Sequence, residues 1–204
     1  MLTENFIARD KAEALLRWGG EQNPGPWVDH SRTTARAAES IARACGMDSG
    51  AAYILGLLHD IGRFEGVRAL HHTVAGYQLL KDKGHDTAAR ICLTHSFSYQ
   101  NLGAYADRNY DCTEEELVLI NTTLDSVVYD DFDKLIQLCD AMALPERVCP
   151  MEIRMVDVAR RHGFNEFTLK DWESIFALKA YFDKKCGQNI YKLFEDEIKK
   201  SLFS

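Results

Sequence analysis

A histidine and an aspartate stand side by side at the end of an apolar run of the sequence. The run reads A-A-Y-I-L-G-L-L over residues 51–58, and His59 and Asp60 follow it directly. Polar side chains that emerge from a buried helix must be paired or must bind something. An imidazole nitrogen and a carboxylate oxygen are both good ligands for divalent transition metals, so the pair indicates a candidate metal site. A simple buried hydrogen bond between the two side chains is the alternative.

Other histidines and one further aspartate fall where helical periodicity turns them inward. His95 continues an apolar stripe that includes Ile91 and Cys92, and Asp140 follows Ile136 by about one turn. His30 falls in the first turn of an alanine-rich helix. The full set of inward-facing candidates is His30, His59, Asp60, His72, His95 and Asp140.

The elements that must position this set are all predicted to be helices. Apolar spacing, with glycine, proline and capping residues at the ends, predicts helices over about 3–18, 28–45, 48–58, 72–83, 86–95, 131–143, 151–162, 168–186 and 190–203, with a short one opened by a capping box at 113–116. No strand pattern and no internal repeat is found, so the fold class is all-α. The polar stretch 96–112 has no period and is expected to be a lid or binding loop.

The length and the net charge of the chain limit the classes of protein to which it can belong. A chain of 204 residues fits one domain, or one domain with a short appended piece. The formal net charge of −7 disfavours a nonspecific nucleic-acid binder, which usually carries basic excess. A small anionic substrate stays compatible, because a bound metal can reverse the local field. No apolar stretch approaches the roughly 20 residues of a membrane span, so no membrane partner is expected.

Six cysteines are scattered along the chain without a C-x-x-C pair. Together with the absence of a signal peptide, this predicts reduced thiols in a cytoplasmic protein rather than a disulfide framework. The six are Cys45, Cys92, Cys112, Cys139, Cys149 and Cys186.

The polar set has a family resemblance. With L-L-H-D-I-G-R at residues 57–63, L-I-Q-L-C-D-A-M-A at 135–143 and a histidine upstream at position 30, the chain resembles the HD domain superfamily of metal-dependent phosphohydrolases. The resemblance covers about residues 28–144. It implies a helical HD-type bundle in a single domain of residues 1–204, with additional helices of the 150–204 segment packed on it.

The resemblance also implies metal ligands. The family's four basic ligands fall on His30, His59, Asp60 and Asp140. The bimetallic branch adds two histidines and makes the H-D aspartate, here Asp60, a bridge between two ions. One or two divalent ions are expected, iron or manganese before magnesium, nickel, cobalt or zinc, since the donors are nitrogen and oxygen without thiolates.

The two added histidines match His72 and His95. His72 lies in H-T-V-A-G, with the family's glycine at Gly76, and His95 ends I-C-L-T-H. His71 precedes His72 and would point about 100° away on a helix, so only one of the two faces the metals. His72 is preferred because of Gly76, and His71 is left as a substrate contact.

The implied activity is hydrolysis of a small phosphorylated compound, a nucleotide by preference. Metal ions lower the pKa of bound water, and the resulting hydroxide attacks the phosphorus while the ions stabilise the phosphoryl oxygens. Asp60 is the central catalytic residue, and Arg63 and Lys134 are candidate phosphate contacts that could equally be surface cations. Arg63, His71, Tyr99 and Arg108 are the candidate substrate contacts. The loop tyrosines could stack on a base or simply anchor the loop.

Several alternatives stay open. Cleavage of cyclic dinucleotides by the HD-GYP class is not supported, because residues 94–101 read T-H-S-F-S-Y-Q-N without that class's signature. A di-iron oxygenase of the HD type, or a non-catalytic module that senses a metal or a nucleotide, would use the same ligands. A homodimer is a further expectation. The C-terminal aromatic residues could form its seam, although core packing is favoured for Trp172, Phe176, Tyr181 and Phe182.

Overall fold

The computed structural model describes residues 7–105 and 110–203, which form helices joined by short turns. In chain order the α-helices are α1 (Arg9–Gln22), α2 (Trp27–Ala44), α3 (Ser49–Leu58), α4 (His71–Asp82), α5 (Asp86–Thr94), α6 (Glu114–Ser126), α7 (Asp131–Ala141), α8 (Met151–His162), α9 (Thr168–Cys186) and α10 (Glu195–Phe203). Short 3-10 helices cover Ile61–Glu65, Leu102–Ala104 and Ile190–Phe194. Within the described ranges no strand forms, and an isolated antiparallel bridge joins Ala143 to Val148. The predicted all-α class is confirmed.

Side-chain caps mark the starts of α3 and α6. The Asp48 side chain accepts a hydrogen bond from the Ala51 amide at 2.9 Å and caps α3, as predicted. Thr113 and Glu116 form the predicted capping box of α6. These caps fix where the helices begin.

The end of α1 differs from the prediction, which stopped the helix at Gly19. The helix runs through to Gln22. The reason is packing, because a Cβ atom on Gly19 would lie 3.0 Å from Ile61 and 3.1 Å from Trp27. Gly19 therefore serves close contact between elements and not helix termination.

The buried apolar side chains form two clusters. The larger joins α1, α2, α3 and α7 with the C-terminal helices, which contribute Ile175, Phe182, Ile190 and Phe194. The smaller lies under α4, α5 and α6 and includes Phe97 from the 96–112 stretch. The helices after residue 150 thus share the core of the bundle.

The C-terminal aromatic residues divide between core and surface. Phe182 is fully buried and Trp172 packs against the larger core, whereas Phe176 and Tyr181 are exposed. The packing role favoured from the sequence therefore fits Phe182 and Trp172.

One cysteine pair corrects the prediction that all six thiols are free. Cys45, just after α2, forms a disulfide with Cys186, the last residue of α9, across a sequence separation of 141. Cys92, Cys112, Cys139 and Cys149 are free, as predicted. Sequence spacing could not reveal the pair, because only the packing of α9 beside α2 brings the two residues together.

Among residues 7–105 and 110–203, no helix combines the length with the apolar composition that spanning a membrane requires.

Candidate metal centre

The six candidate ligands converge from five stretches of the chain. They are His30 on α2, His59 and Asp60 immediately after α3, His72 on α4, His95 immediately after α5, and Asp140 on α7. The four histidines and Asp60 are buried, and Asp140 is partly exposed. Residues far apart in sequence thus form one polar centre inside an apolar bundle.

Asp60 lies at the middle of one half of the centre. Its Oδ1 atom is 3.1 Å from Nε2 of His72 and 3.5 Å from Nε2 of His95. Its Oδ2 atom is 3.9 Å from Nε2 of His59. Asp60 can therefore offer one oxygen to each of two neighbouring ligand groups.

Asp140 closes the other half. Its Oδ1 atom is 2.9 Å from Nε2 of His30 and 3.9 Å from Nε2 of His59. Ligand atoms that lie within 4.8 Å of one another form the groups His30–His59–Asp60, His59–His95–Asp140 and Asp60–His72–His95. Because the first and last groups share Asp60, the arrangement is compatible with two ions.

Every histidine of the centre directs Nδ1 to a backbone carbonyl. In three of them the carbonyl lies three residues earlier: Gly56 for His59 at 2.7 Å, Cys92 for His95 at 3.0 Å, and Ala69 for His72. His30 instead faces the carbonyl of Ala143 at 3.2 Å. An Nδ1–H group that donates to a carbonyl leaves Nε2 with its lone pair, which is the form that binds a metal.

Two atoms of the centre are buried without a hydrogen-bond partner in the described structure. They are Nε2 of His59 and Oδ1 of Asp60. Orphaned buried acceptors are rare and costly, and here they point at other acceptors. A cation satisfies such a cluster, and a donor set of imidazole nitrogens and carboxylate oxygens fits divalent transition ions.

Arg63 partly supplies that positive charge. Its Nε–H group donates to Oδ2 of Asp60 at 2.6 Å, and another guanidinium nitrogen donates to the carbonyl of Arg68 at 3.3 Å. The 3-10 helix that begins at Ile61 brings Arg63 back beside Asp60. The structure therefore places this predicted phosphate contact at the centre.

Burial and charge set the protonation states. Burial would raise the pKa of Asp60, but Arg63 and His59 hold it well below its usual value. Burial lowers the pKa of His59 to about 4 and also lowers that of His72. Burial likewise lowers the pKa of His95, but the Asp60 carboxylate outweighs it and leaves that pKa raised. Ionised Asp60 beside neutral His59 and His72 is the state that metals bind.

Two glycines allow the elements of the centre to touch. A Cβ atom on Gly62 would collide with the carbonyl oxygen of His72, and one on Gly76 would lie 2.9 Å from Sγ of Cys92 and 3.2 Å from the Gly62 nitrogen. Glycine at both positions lets α4 lie directly on the turn after Asp60. This close approach brings His72 within reach of Asp60.

A cavity of about 770 Å³ opens onto the centre. All the candidate ligands except His59 line it, as does Arg63. Its other walls come from the 96–112 stretch, through Ser96, Ser98, Ala104, Tyr105 and Asp111, and from α8 and α9, through Arg154, Asp157, Arg161, Asp171 and Trp172 among others. Its volume is in the range of sites for small organic ligands.

Lys134 and Tyr99 are not brought to the cavity. Lys134 on α7 lies over the ring of Tyr181, with its ammonium 5.1 Å from the centroid. Lys134 precedes Asp140 by six positions, which turns it about 120° away around the helix. Tyr99 stacks against Phe167 with ring centroids 6.2 Å apart, so it anchors the loop. The phosphate contact predicted for Lys134 and the substrate contact predicted for Tyr99 are corrected accordingly.

His71 also lies outside the cavity. Its Nε2 is 2.8 Å from Glu65 and its Nδ1 is 3.1 Å from Glu116, so it joins two carboxylates. The substrate contact predicted for it does not fit this position, because both ring nitrogens are engaged. Arg108 falls outside the described residues.

Gln137 is a cavity residue that the sequence patterns did not indicate. It is buried on α7 and lines the cavity, where its amide nitrogen donates to the carbonyl of Thr94 at 3.0 Å. Its Oε1 atom is buried with no hydrogen-bond partner among the described residues. The available signal was its position one turn before Asp140 on the same apolar stripe.

The sequence of the chain matches a known protein family. A family model described as HD domain matches residues 27–142. That segment contains all six candidate ligands and Arg63, and it ends before α8. Neither the curated proteins nor the solved structures contain a match to the chain.

Proposed function

The chain belongs to the HD domain family, a superfamily of metal-dependent phosphohydrolases, and on that premise we propose that it hydrolyses a phosphoester bond of a small molecule, a nucleotide by preference. The reacting phosphate binds where the cavity meets the centre of His and Asp residues. The enzyme uses one or two divalent ions, iron or manganese by preference.

The convergence of four imidazole Nε2 atoms on two carboxylates carries the proposal. Backbone carbonyls hold the Nδ1 side of all four rings, and the centre keeps buried acceptors that no protein donor satisfies. A structural hydrogen-bond network would instead pair donors with acceptors. The arrangement is what a metal-binding centre requires.

The chain's residues would divide the work as follows. His30, His59 and Asp140 would hold one ion, His72 and His95 the other, and Asp60 would bridge them. When bound, such ions lower the pKa of water and offset the negative charge that develops on phosphoryl oxygens. Buried backbone carbonyls keep the imidazoles oriented, so the ligands need not reorganise during the reaction.

Arg63 is placed to hold the substrate. Its guanidinium is fixed by Asp60 at 2.6 Å, and its side chain, which is 29% exposed, lines the cavity. A guanidinium matches the geometry of phosphate oxygens through parallel hydrogen bonds. Arg63 therefore orients the phosphoryl group and neutralises part of its charge.

The preference for a nucleotide rests on the size and lining of the cavity. About 770 Å³ is far more than an inorganic phosphate fills. Trp27, Tyr105 and Trp172 line the same cavity and offer flat apolar surfaces. A phosphate attached to an aromatic base fits both the polar centre and these walls.

The test combines metal analysis with a phosphoester screen. Purified protein is analysed for bound metals and then assayed on phosphomonoesters and phosphodiesters with added Mn²⁺, Fe²⁺ or Mg²⁺. Asp60→Asn is expected to lose bound metal and at least about 100-fold in turnover, since residues that only support metal ligands already contribute about 10- to 100-fold. Asp29→Asn, an exposed aspartate beside His30, is the matched control and should behave as the wild type.

Other outcomes would replace the proposal. Unchanged turnover in Asp60→Asn would show that the centre does not hydrolyse the ester. Oxygen consumption by the iron-loaded protein without hydrolysis would assign it to the oxygenase alternative. Metal binding without either reaction would leave a sensing module.

A further inference from the structure

The wall of the cavity contributed by α8 carries a cationic face. Arg154, Asp157 and Arg161 line the cavity together, and their spacing of three and four residues places them on one side of the helix. All three lie beyond residue 142, where the family match ends. The activity proposed above uses none of them.

The charges on this face do not cancel. One guanidinium nitrogen of Arg154 is 3.3 Å from Oδ2 of Asp157, and one of Arg161 is 3.0 Å from the same oxygen. Two guanidinium groups thus share a single carboxylate, and the three side chains together carry one net positive charge. In a chain of net charge −7, this excess lies along the wall of the cavity that also holds the metal centre.

Helix electrostatics do not account for both arginines. Arg161 is in the last turn of α8, where a cation is favoured by the helix dipole. Arg154 is in the first turn of the same helix, where the dipole disfavours a cation. Its side chain is only 22% exposed. The unfavourable interaction of Arg154 with the helix dipole is explained if its guanidinium binds a ligand.

We propose that Arg154 and Arg161 form a second anion subsite, so that the preferred substrate carries two separate anionic groups. One group reacts at the metal centre, and the other binds the guanidinium pair on α8. The proposal rests on the proposed function, because that function places the reacting group at the metal centre. The position of the arginine pair does not depend on the chemistry at that centre. The substrate class is then a nucleotide with a second phosphate, since paired guanidiniums match phosphate oxygens.

The test measures binding, so that it does not depend on turnover. Titration calorimetry on the metal-loaded protein compares AMP with ADP and adenosine 3′,5′-bisphosphate, and chromatography after each run checks that the nucleotide is intact. In the wild type, at least one compound with two phosphates is expected to bind about tenfold more tightly than AMP. This is the gain in affinity that one additional hydrogen bond to a charged group provides. The double variant Arg154→Ala/Arg161→Ala should lose that advantage and keep its affinity for AMP.

Arg160→Ala is the matched control, because Arg160 is exposed on the same helix and does not line the cavity. It should retain the preference for two phosphates. No preference in the wild type, a preference that survives in the double variant, or equal weakening of all three compounds would overturn the proposal. The readout is affinity and not turnover, so the loss of the phosphohydrolase proposal would leave this readout intact.

Discussion

Two adjacent histidines at the start of α4 have opposite surroundings. Nδ1 of His72 faces the carbonyl of Ala69, which leaves Nε2 3.1 Å from Asp60 in the buried centre. His71 has a carboxylate on each ring nitrogen and is partly exposed. The pKa of His72 is lowered, by burial and then by Arg63. Burial also opposes the charge on His71, but Glu65 and Glu116 outweigh it and raise the pKa.

The difference shows which surroundings suit a histidine to bind a metal. A carbonyl partner fixes a neutral ring with one free lone pair, whereas two carboxylates favour a ring that donates from both nitrogens. His71 is therefore an ion-pair link from α4 to Glu65 and to Glu116 on α6. A rotation of about 100° around one helix separates the two roles.

The largest expected effect comes from exchanging each histidine for glutamine. His72→Gln should lower turnover by at least about 100-fold and reduce metal content, because it removes a proposed ligand. His71→Gln should leave both unchanged, since it does not reach the cavity. Metal analysis and the phosphoester assay on the two variants check this, and equal loss in both would break the distinction.

Gly62→Ala tests the contact that carries α4 to the centre. The added Cβ would collide with the carbonyl oxygen of His72, and backbone cannot yield as a flexible side chain can. We expect a loss of about 3 kcal/mol in the free energy of unfolding, with weaker metal binding. In Gly50→Ala, an exposed helical position with only ordinary contacts, stability should be equal or higher. Urea unfolding with and without Mn²⁺ compares the pair.

Asp111→Ala removes a support that both histidines share. The Asp111 carboxylate accepts hydrogen bonds from the amides of Ala69 and His71, each at 2.9 Å. We expect the free energy of unfolding to fall by about 1 kcal/mol, as it does when an N-terminal cap is removed. Burial raises the pKa of Asp111, but the two amides outweigh it and the net shift is downward. The contribution is therefore present at neutral pH and disappears as the pH falls through the folded-state pKa.

Unfolding of Asp111→Ala and wild type across acidic pH measures that contribution. The two curves should converge at low pH. A difference that grows on acidification would contradict the capping role.

The smallest effect concerns the ion pair of His71. Its pKa is raised on folding, so the stability that it adds is complete below the unfolded-state value of about 6.5 and is lost as the pH rises through the folded-state pKa. His71→Gln should lower the free energy of unfolding by less than about 1 kcal/mol at pH 5.5, because the site is partly exposed. At pH 9 the imidazole is neutral, so the substitution should not change the free energy of unfolding. Thermal unfolding at the two pH values is the measurement, and a larger cost at pH 9 would rule out an imidazolium.

The sequence was most informative where local structure controls the outcome. The carbonyl partners of His59, His72 and His95 lie three residues upstream, so each ring is oriented within its own helix end. Apolar periodicity therefore indicates these residues without any tertiary contact. Gly76 favours His72 over His71 as the inward-facing histidine, and the packing of Gly76 against Gly62 and Cys92 gives this preference a physical reason.

The sequence was least informative where distant elements meet. Lys134 is near Asp140 along the chain, but the helical turn carries it toward Tyr181. Arg154 and Arg161 have the spacing of an ordinary solvated face, and only the packing of α8 turns them into a cavity wall. The Cys45–Cys186 bond could not be predicted for the same reason, because it depends on the packing of distant elements.

That bond makes residues 45 to 186 a covalent ring. Five of the six candidate ligands are inside the ring, and His30 stands outside it on the tail that leads to Cys45. A protease that cuts one peptide bond within the ring cannot release a fragment. The nicked protein would run as one band on a non-reducing gel and as two after treatment with a thiol.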